Sequence, residues 1–566
     1  MLPELPLNVA TMLQWTWAEI APYFQDLESR TLTAATVGQF LADWTEIVDL
    51  VDEIGSRRHL ATTVNTADAE AERLYGVYLD EIFPAVEAAE QKLKEKLLAS
   101  GLEPAGFEVP LRKMRVHAAI FREANLPLMS ETQKLTMQYN KIVGAQTVQW
   151  EGEEVTVTQL QPVYQDTDRN RRERAWRLVM ARQMADRSAI NALWQQFLAL
   201  RLKIAANADF PDYRAYRWQQ LSRFDYTPAD CVSFHEAIEA VVVPAAARIY
   251  ERKRKQLGLE TLRPWDLNVD PLNRPALRPF QTDEELLSKG AAIFRRVDPQ
   301  LGGYYDRMRR EDLLDFANRK NKAPGAFCTA FPRSRQPFVF GNAVGLHDNV
   351  QTLLHECGHA FHNYERFNLP YAQQRSTGSE MAEVASMAME LLAAPYLEEA
   401  EGGFYSAADA ARARIEHLET SILFWPYMAV VDAFQHWVYE NPAAALEPAL
   451  CDTQWGRLWD RFMRGIDWSG LEEEKVTGWH RKLHIHRYPF YYIEYGLAQL
   501  GAVQVWANAL RDQAAAVASY RQALALGGTA PLPQLYAAAG ARLAFDAATL
   551  GEAVRLMEDT IAQLEG

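Results

Sequence analysis

The stretch from Asn349 to His362 constrains this chain more than any other. Within it, His355-Glu356-Cys357-Gly358-His359 repeats a histidine after four positions. Successive residues of an α-helix advance about 100°, so the two imidazoles stand roughly 40° apart, one turn along, and can reach one metal ion. Glu356 falls about 60° from His359, beside that ion rather than on it, which is the place of a general base. The stretch therefore has to be helical. Asp348 or Asn349 can cap such a helix, and Val350, Leu353, Leu354 and Phe361 recur at helical spacing. The plain alternative is a solvated polar helix face.

A zinc enzyme keeps three protein ligands and leaves the fourth position open. Downstream, Ser379 to Glu390 offers three carboxylates. Read as a helix, it puts Met381, Val384, Ala388 and Leu391 on one side and aligns Glu383 and Glu390 on the other. Glu380 has another use, because Thr377 followed by Glu380 fits a capping box. Glu383 is the candidate third ligand with Glu390 behind it, and a solvated helix face is the plain alternative. His362 lies one heptad, about 10.5 Å of rise, from His355, too far to complete one tetrahedron. The pattern that adds a third histidine needs glycine at 362 and histidine at 365, where this chain has His362 and Glu365. Cobalt or manganese also suits a His/His/Glu set.

These residues resemble the thimet oligopeptidase and oligoendopeptidase F family of zinc metallopeptidases, most closely its oligoendopeptidase F and Pz-peptidase branch. The H-E-x-G-H pattern is followed 28 positions after His355 by Glu383-Val384-Ala385-Ser386. The resemblance extends upstream to Gly325-Ala326-Phe327-Cys328-Thr329 and Pro337 to Asn342, and downstream to His484 and Pro489 to Ala498. It runs through most of the chain from about residue 200.

The resemblance implies a mainly α-helical, two-lobed architecture enclosing a deep substrate channel, with a small β-sheet near the active site. It implies one zinc ion per chain on His355, His359 and Glu383, with Glu356 as base. His484 with Tyr492 and Tyr495 would stabilise the oxyanion, Tyr488 and Tyr491 being the alternatives. Gly325, Ala326, Phe327, His362, Tyr488 and Tyr491 are expected to contact substrate; His486 is either a contact of that kind or structural. The implied activity is hydrolysis of internal bonds in short, unstructured peptides. A peptidyl dipeptidase of the same chemistry and an inactive peptide-binding protein are the alternatives. Zinc would bring water's pKa near 7, and Glu356 would move its proton to the departing amine. Cys357 is expected as a small buried hydrophobe.

The rest of the chain reads as helical scaffold. Its 566 residues suffice for two or more domains; a helical N-terminal lobe over 1–200 and a catalytic domain over 201–566 are expected, interleaved. A net charge of -15 argues against a nucleic-acid partner. Four scattered cysteines form no CxxC pair and fit a reducing cytoplasm. The N-terminus lacks a basic, then apolar, leader, and no run nears the roughly 18 apolar residues of a membrane span, so neither export nor a membrane is expected.

Trp15, Trp17, Phe24, Leu27, Phe40, Trp44, Ile47 and Val48 fall at helical intervals and predict an N-terminal core. A helix over 85–98 follows Pro84 and stops at Gly101. Val148 to Thr158 predicts a hairpin about Glu151-Gly152. A charged run from Asp166 to Arg174 opens one long helix to about Ala206, its arginines a salt-bridged face. Thr227-Pro228 starts a helix that Pro244 divides. Residues 264–279 are irregular, either a surface loop or part of a channel. A helix over 282–296 precedes extended runs at 326–331 and 337–340, which either cover the core or pair with an extended peptide. Gly527-Gly528 is either a substrate-side loop or a helix stop.

Overall fold

The computed structural model describes residues 4–319, 321–323 and 325–565. The described residues are mainly α-helical with two small sheets. The chain divides into two compact units, each assembled from three segments. The first comprises Met1–Ile120, Arg278–Ala410 and Gly501–Leu543; the second comprises Phe121–Leu277, Ala411–Leu500 and Ala544–Gly566. No described helix is long and apolar enough to cross a membrane.

In the first unit, helices Trp17–Ser29, Val37–Val64 and Phe83–Ala99 close over one core. Phe24, Leu27, Phe40, Trp44 and Ile47 are buried there, and Trp15, Trp17 and Val48 pack against it half-buried. Burying each such side chain contributes roughly 1.5–3 kcal/mol. Thr16 and Glu19 cap the first of these helices reciprocally. Pro84 does not start its helix from a loop. A π-turn over Tyr78–Ile82 leads straight into Phe83–Ala99. The second unit repeats the device, with Ile238–Val242 widened before Pro244. Proline lacks an N–H and crowds the carbonyl four residues back, and the wider turn absorbs both defects.

Also in the second unit, strands β1 (Thr147–Trp150) and β2 (Glu153–Thr156) pair antiparallel. Glu151 and Gly152 take φ of 53° and 95°, the left-handed pair of a two-residue hairpin turn. The long helix expected to open in the Asp166–Arg174 run and continue to about Ala206 is broken: Arg169–Ala185 ends at Asp186, which leads directly into Arg187–Asn207. The basic run is salt-bridged as expected, Arg171 to Glu151 and Asp166, and Arg172 to the buried Asp266.

The first unit holds a three-stranded sheet of β3 (Leu314–Ala317), β4 (Phe327–Phe331) and β5 (Gln336–Ala343), ordered β3-β5-β4. β5 runs parallel to β3 and antiparallel to β4, with Cys328 opposite Val339. β4 is thus an edge strand. Lys322 pins the sheet from within, its Nζ donating to Asp315 Oδ1 at 2.8 Å and to the Gly341 carbonyl at 2.6 Å. The sheet packs on helix His347–Arg366, which also packs along helix Ser379–Ala393.

Candidate active site

Helix His347–Arg366 begins before the residues expected to cap it. Asn349 sits inside the first turn and its Oδ1 accepts from the backbone N–H of Leu346 and Val344, at 3.0 and 2.8 Å. Helix Ser379–Ala393 follows Gly378, which carries no side-chain cap, so the expected Thr377–Glu380 box does not form. Glu380 is buried instead. The two helices meet at Gly358, where a Cβ would lie 2.6 Å from both the Ala385 carbonyl oxygen and the Ser386 Cα. Only glycine permits this approach, and it brings Glu383 to the two histidines. Tyr520 donates to the same Ala385 carbonyl at 2.7 Å.

His355 Nε2 and His359 Nε2 stand 3.5 and 3.6 Å from Glu383 Oε2. All three donor atoms lie within 4.8 Å of one another. A tetrahedral zinc ion with bonds of about 2.0–2.1 Å sets its N and O ligands about 3.3 Å apart, so this set is close to the required size. The other ring nitrogens are engaged. His355 Nδ1 bonds Glu390 Oε1 at 2.6 Å, and His359 hydrogen-bonds the Ala382 backbone. Such partners fix the tautomer that turns Nε2 toward a metal. Ser386 Oγ donates to Glu383 Oε2 at 3.0 Å, steadying the carboxylate.

Electrostatics favour a cation here. Burial works against charge on His355, yet the Glu383 and Glu390 carboxylates outweigh it and hold its pKa well above the ordinary value. Burial pushes His359 down to about 4. Two carboxylates thus draw a proton onto one imidazole, a charge that a divalent ion on Nε2 would replace. Glu356 is 7% exposed. Burial pushes its carboxyl up to about 7, with His355 opposing and Glu383 and Glu390 adding, and the Cys328 backbone hydrogen-bonds it. Its Oε2 is buried without a hydrogen bond among the described residues. Glu390→Gln is expected to weaken zinc affinity or activity by about 10–100-fold, as outer-shell changes do; a zinc competition titration measures it.

The remaining expected residues divide between the units. In the first, Gly325 bends at φ 92° and its carbonyl accepts from Asn342 Nδ2 at 3.0 Å. Ala326 leads into β4, where Phe327 stacks on Phe340 at 4.8 Å. His362 is 3% exposed and its Nε2 has no hydrogen-bond partner among the described residues. Cys357 is fully buried, the small hydrophobe expected. Gly527 and Gly528 do more than stop a helix: Gly528 N–H donates to the Gln374 carbonyl at 2.6 Å, and a Cβ on Gly528 would stand 2.1 Å from the Ser376 carbonyl oxygen.

In the second unit, His484 is ringed by Tyr492, Tyr495, Tyr491 and Tyr488, at centroid distances of 4.9, 5.8, 5.9 and 6.2 Å. Sequence reading missed Lys482. Its Nζ donates to Tyr492 Oη at 2.7 Å, and burial lowers its pKa to about 8. No pattern marks it beyond a lysine two residues before His484.

His486 is fully buried, stacked on Tyr139 at 4.5 Å and against Trp479 and Trp194. That packing fits the structural alternative and leaves no ring surface for a substrate. Burial pushes His480 down to about 2 and His486 to about 3. Both folded values lie below the ordinary 6.5, so at intermediate pH the unfolded chain binds more protons than the native one, and stability rises with pH. Stability is expected to fall on acidification from about pH 6.5 toward 3, by about 1.4 kcal/mol per pH unit for each histidine. Urea denaturation at neutral and mildly acid pH, repeated on His486→Gln, checks the slope.

Comparison with known proteins gives a consistent result. The model of peptidase family M3 matches residues 163–554. No curated protein sequence matches the chain. Among solved structures, a Pz-peptidase A determined with an inhibitor superposes with a TM-score of 0.90 at 25% identity, over 99% of this chain and 98% of that one. A protein assigned as an oligoendopeptidase F gives 0.89 at 26%, over 99% and 97%. Another so assigned, from Bacillus anthracis, shares the fold with a TM-score of 0.85 at 22%, over 99% and 97%.

Proposed function

The chain belongs to peptidase family M3, and from that premise we propose that this peptidase is a zinc-dependent oligoendopeptidase cutting internal bonds of short, unstructured peptides. The observation that carries the reading is the convergence of His355 Nε2, His359 Nε2 and Glu383 Oε2 beside the buried carboxyl of Glu356. Those three side chains would hold the ion, one per active site. Zinc so held supplies a Lewis acid that acidifies water and polarises the scissile carbonyl.

Glu356 does the proton work. Its buried carboxyl would take a proton from attacking water and return it to the departing amine. Glu390 and the Ala382 backbone keep the imidazoles turned. β4 is the edge of its sheet and begins at Phe327, beside Gly325 and Ala326. An extended peptide adding to that edge would be read through its backbone, which suits a broad substrate range. The oxyanion donors, His484 with Tyr492 or Tyr495, are proposed on resemblance alone.

Mass spectrometry of a mixed set of short peptides, with free and with amidated C-termini, tests the reading. Internal cuts in both sets, abolished by a chelator and restored by zinc, are expected. Release of C-terminal dipeptides from the free set alone would indicate a peptidyl dipeptidase. No cleavage by zinc-loaded protein would indicate peptide binding without turnover.

A further inference from the structure

The second unit brings together four side chains of metal-ligating type that the peptidase chemistry does not use. Cys231 and His235 stand one turn apart on helix Pro228–Ala237; Asp432 and His436 stand one turn apart on helix Ala407–Glu440. All four are buried, Cys231 and Asp432 completely, His235 and His436 to 3% and 4% exposure. One donor atom from each of Cys231, Asp432 and His436 lies within 4.8 Å of the other two. We propose that Cys231, Asp432 and His436 form a second divalent-metal site, suited to zinc, with His235 holding the Asp432 carboxylate from outside.

Directionality supports this. His436 Nε2 is 3.3 Å from Asp432 Oδ2 but off the line of a well-aligned hydrogen bond, and Asp432 Oδ1 is buried with no hydrogen-bond partner among the described residues. A donor pair this close but out of line can share a third point, and about 3.3 Å is the N-to-O edge of a zinc tetrahedron. His235 Nε2 bonds Asp432 Oδ2 at 2.9 Å, an outer-shell contact of the kind that fixes a ligating carboxylate. Charge also closes, because one thiolate and one carboxylate neutralise a divalent ion in an interior that tolerates no net charge. The thiolate selects zinc over magnesium or calcium.

Arg214 opposes loading. Its Nη1 stands 3.3 Å from His436 Nδ1, and a guanidinium only donates, so it competes with the Nδ1–H that a ring ligating through Nε2 carries. Binding through Nε2 would turn Arg214 wholly to Glu440, with which it already pairs, while the Cys231 sulfur binds as thiolate and its proton leaves to solvent. Arg214→Gln, whose amide oxygen can accept from Nδ1–H, is therefore expected to tighten zinc binding by roughly tenfold.

The test is a metal count on the full-length protein, equilibrated with zinc and freed of loose metal by a weak chelator. Two equivalents per chain are expected in the wild type, and one each in Cys231→Ser and in Glu383→Gln. Cobalt loading adds a signature, since a sulfur-to-cobalt charge-transfer band cannot come from His355, His359 and Glu383. The band is expected in the wild type, absent from Cys231→Ser and from His436→Gln, and retained in Cys357→Ser. A wild type without the band, or a band that survives Cys231→Ser, overturns the proposal; the wild-type cobalt spectrum decides even if a variant does not fold.

Discussion

Glu356→Gln is expected to lower kcat by about 10²–10⁴-fold, the usual contribution of a positioned general base, while leaving metal content unchanged. The substitution keeps shape and volume, and Glu356 is not among the three converging donors, so the ion should stay. What disappears is the ability to accept a proton at Oε2, the buried oxygen without a hydrogen bond among the described residues. Folding should suffer little, because the carboxyl is already raised to about 7 by burial and a neutral amide has no charge to desolvate. Steady-state kinetics with metal analysis on the same sample separates the effects. Activity within tenfold of wild type would assign the base to another residue.

Gly358→Ala should be almost as damaging, though it removes no functional group. The added Cβ would sit 2.6 Å from the Ala385 carbonyl oxygen and the Ser386 Cα, both backbone atoms, so one helix has to move. Ala385 is also held by Tyr520, which limits how the helix can yield. Overpacking of this kind costs about 1–3 kcal/mol. A displacement near 1 Å of Glu383 relative to His355 and His359 is worth about 10²-fold in rate. The expected result is a lowered Tm, weakened zinc affinity and a fall in kcat. Wild-type Tm and zinc affinity together would show that the contact at Gly358 does not set the ligand geometry.

The geometry at the histidine helix was legible because its information is local. The spacing of His355 and His359 puts both imidazoles on one face, and Glu383 and Glu390 fall in line on their own helix. The structure adds which carboxylate meets which nitrogen. The helix start before Asn349 was not legible, since the same amide that can cap a helix can accept the same backbone donors from inside the first turn. The break at Asp186 and the π-turns before Pro84 and Pro244 depend on packing that periodicity does not carry. β3 has four residues and pairs parallel, which leaves no hairpin signal. Cys231 with His235, and Asp432 with His436, are each visible as four-residue spacings, but nothing in either segment tells that they meet.

The most direct measurement is zinc titration of metal-stripped wild type and Glu383→Gln, following cleavage of one short internally quenched peptide. The account predicts no turnover without metal, recovery in the wild type as zinc binds, and none in Glu383→Gln. Full turnover by metal-free protein, or recovery in Glu383→Gln, would contradict it.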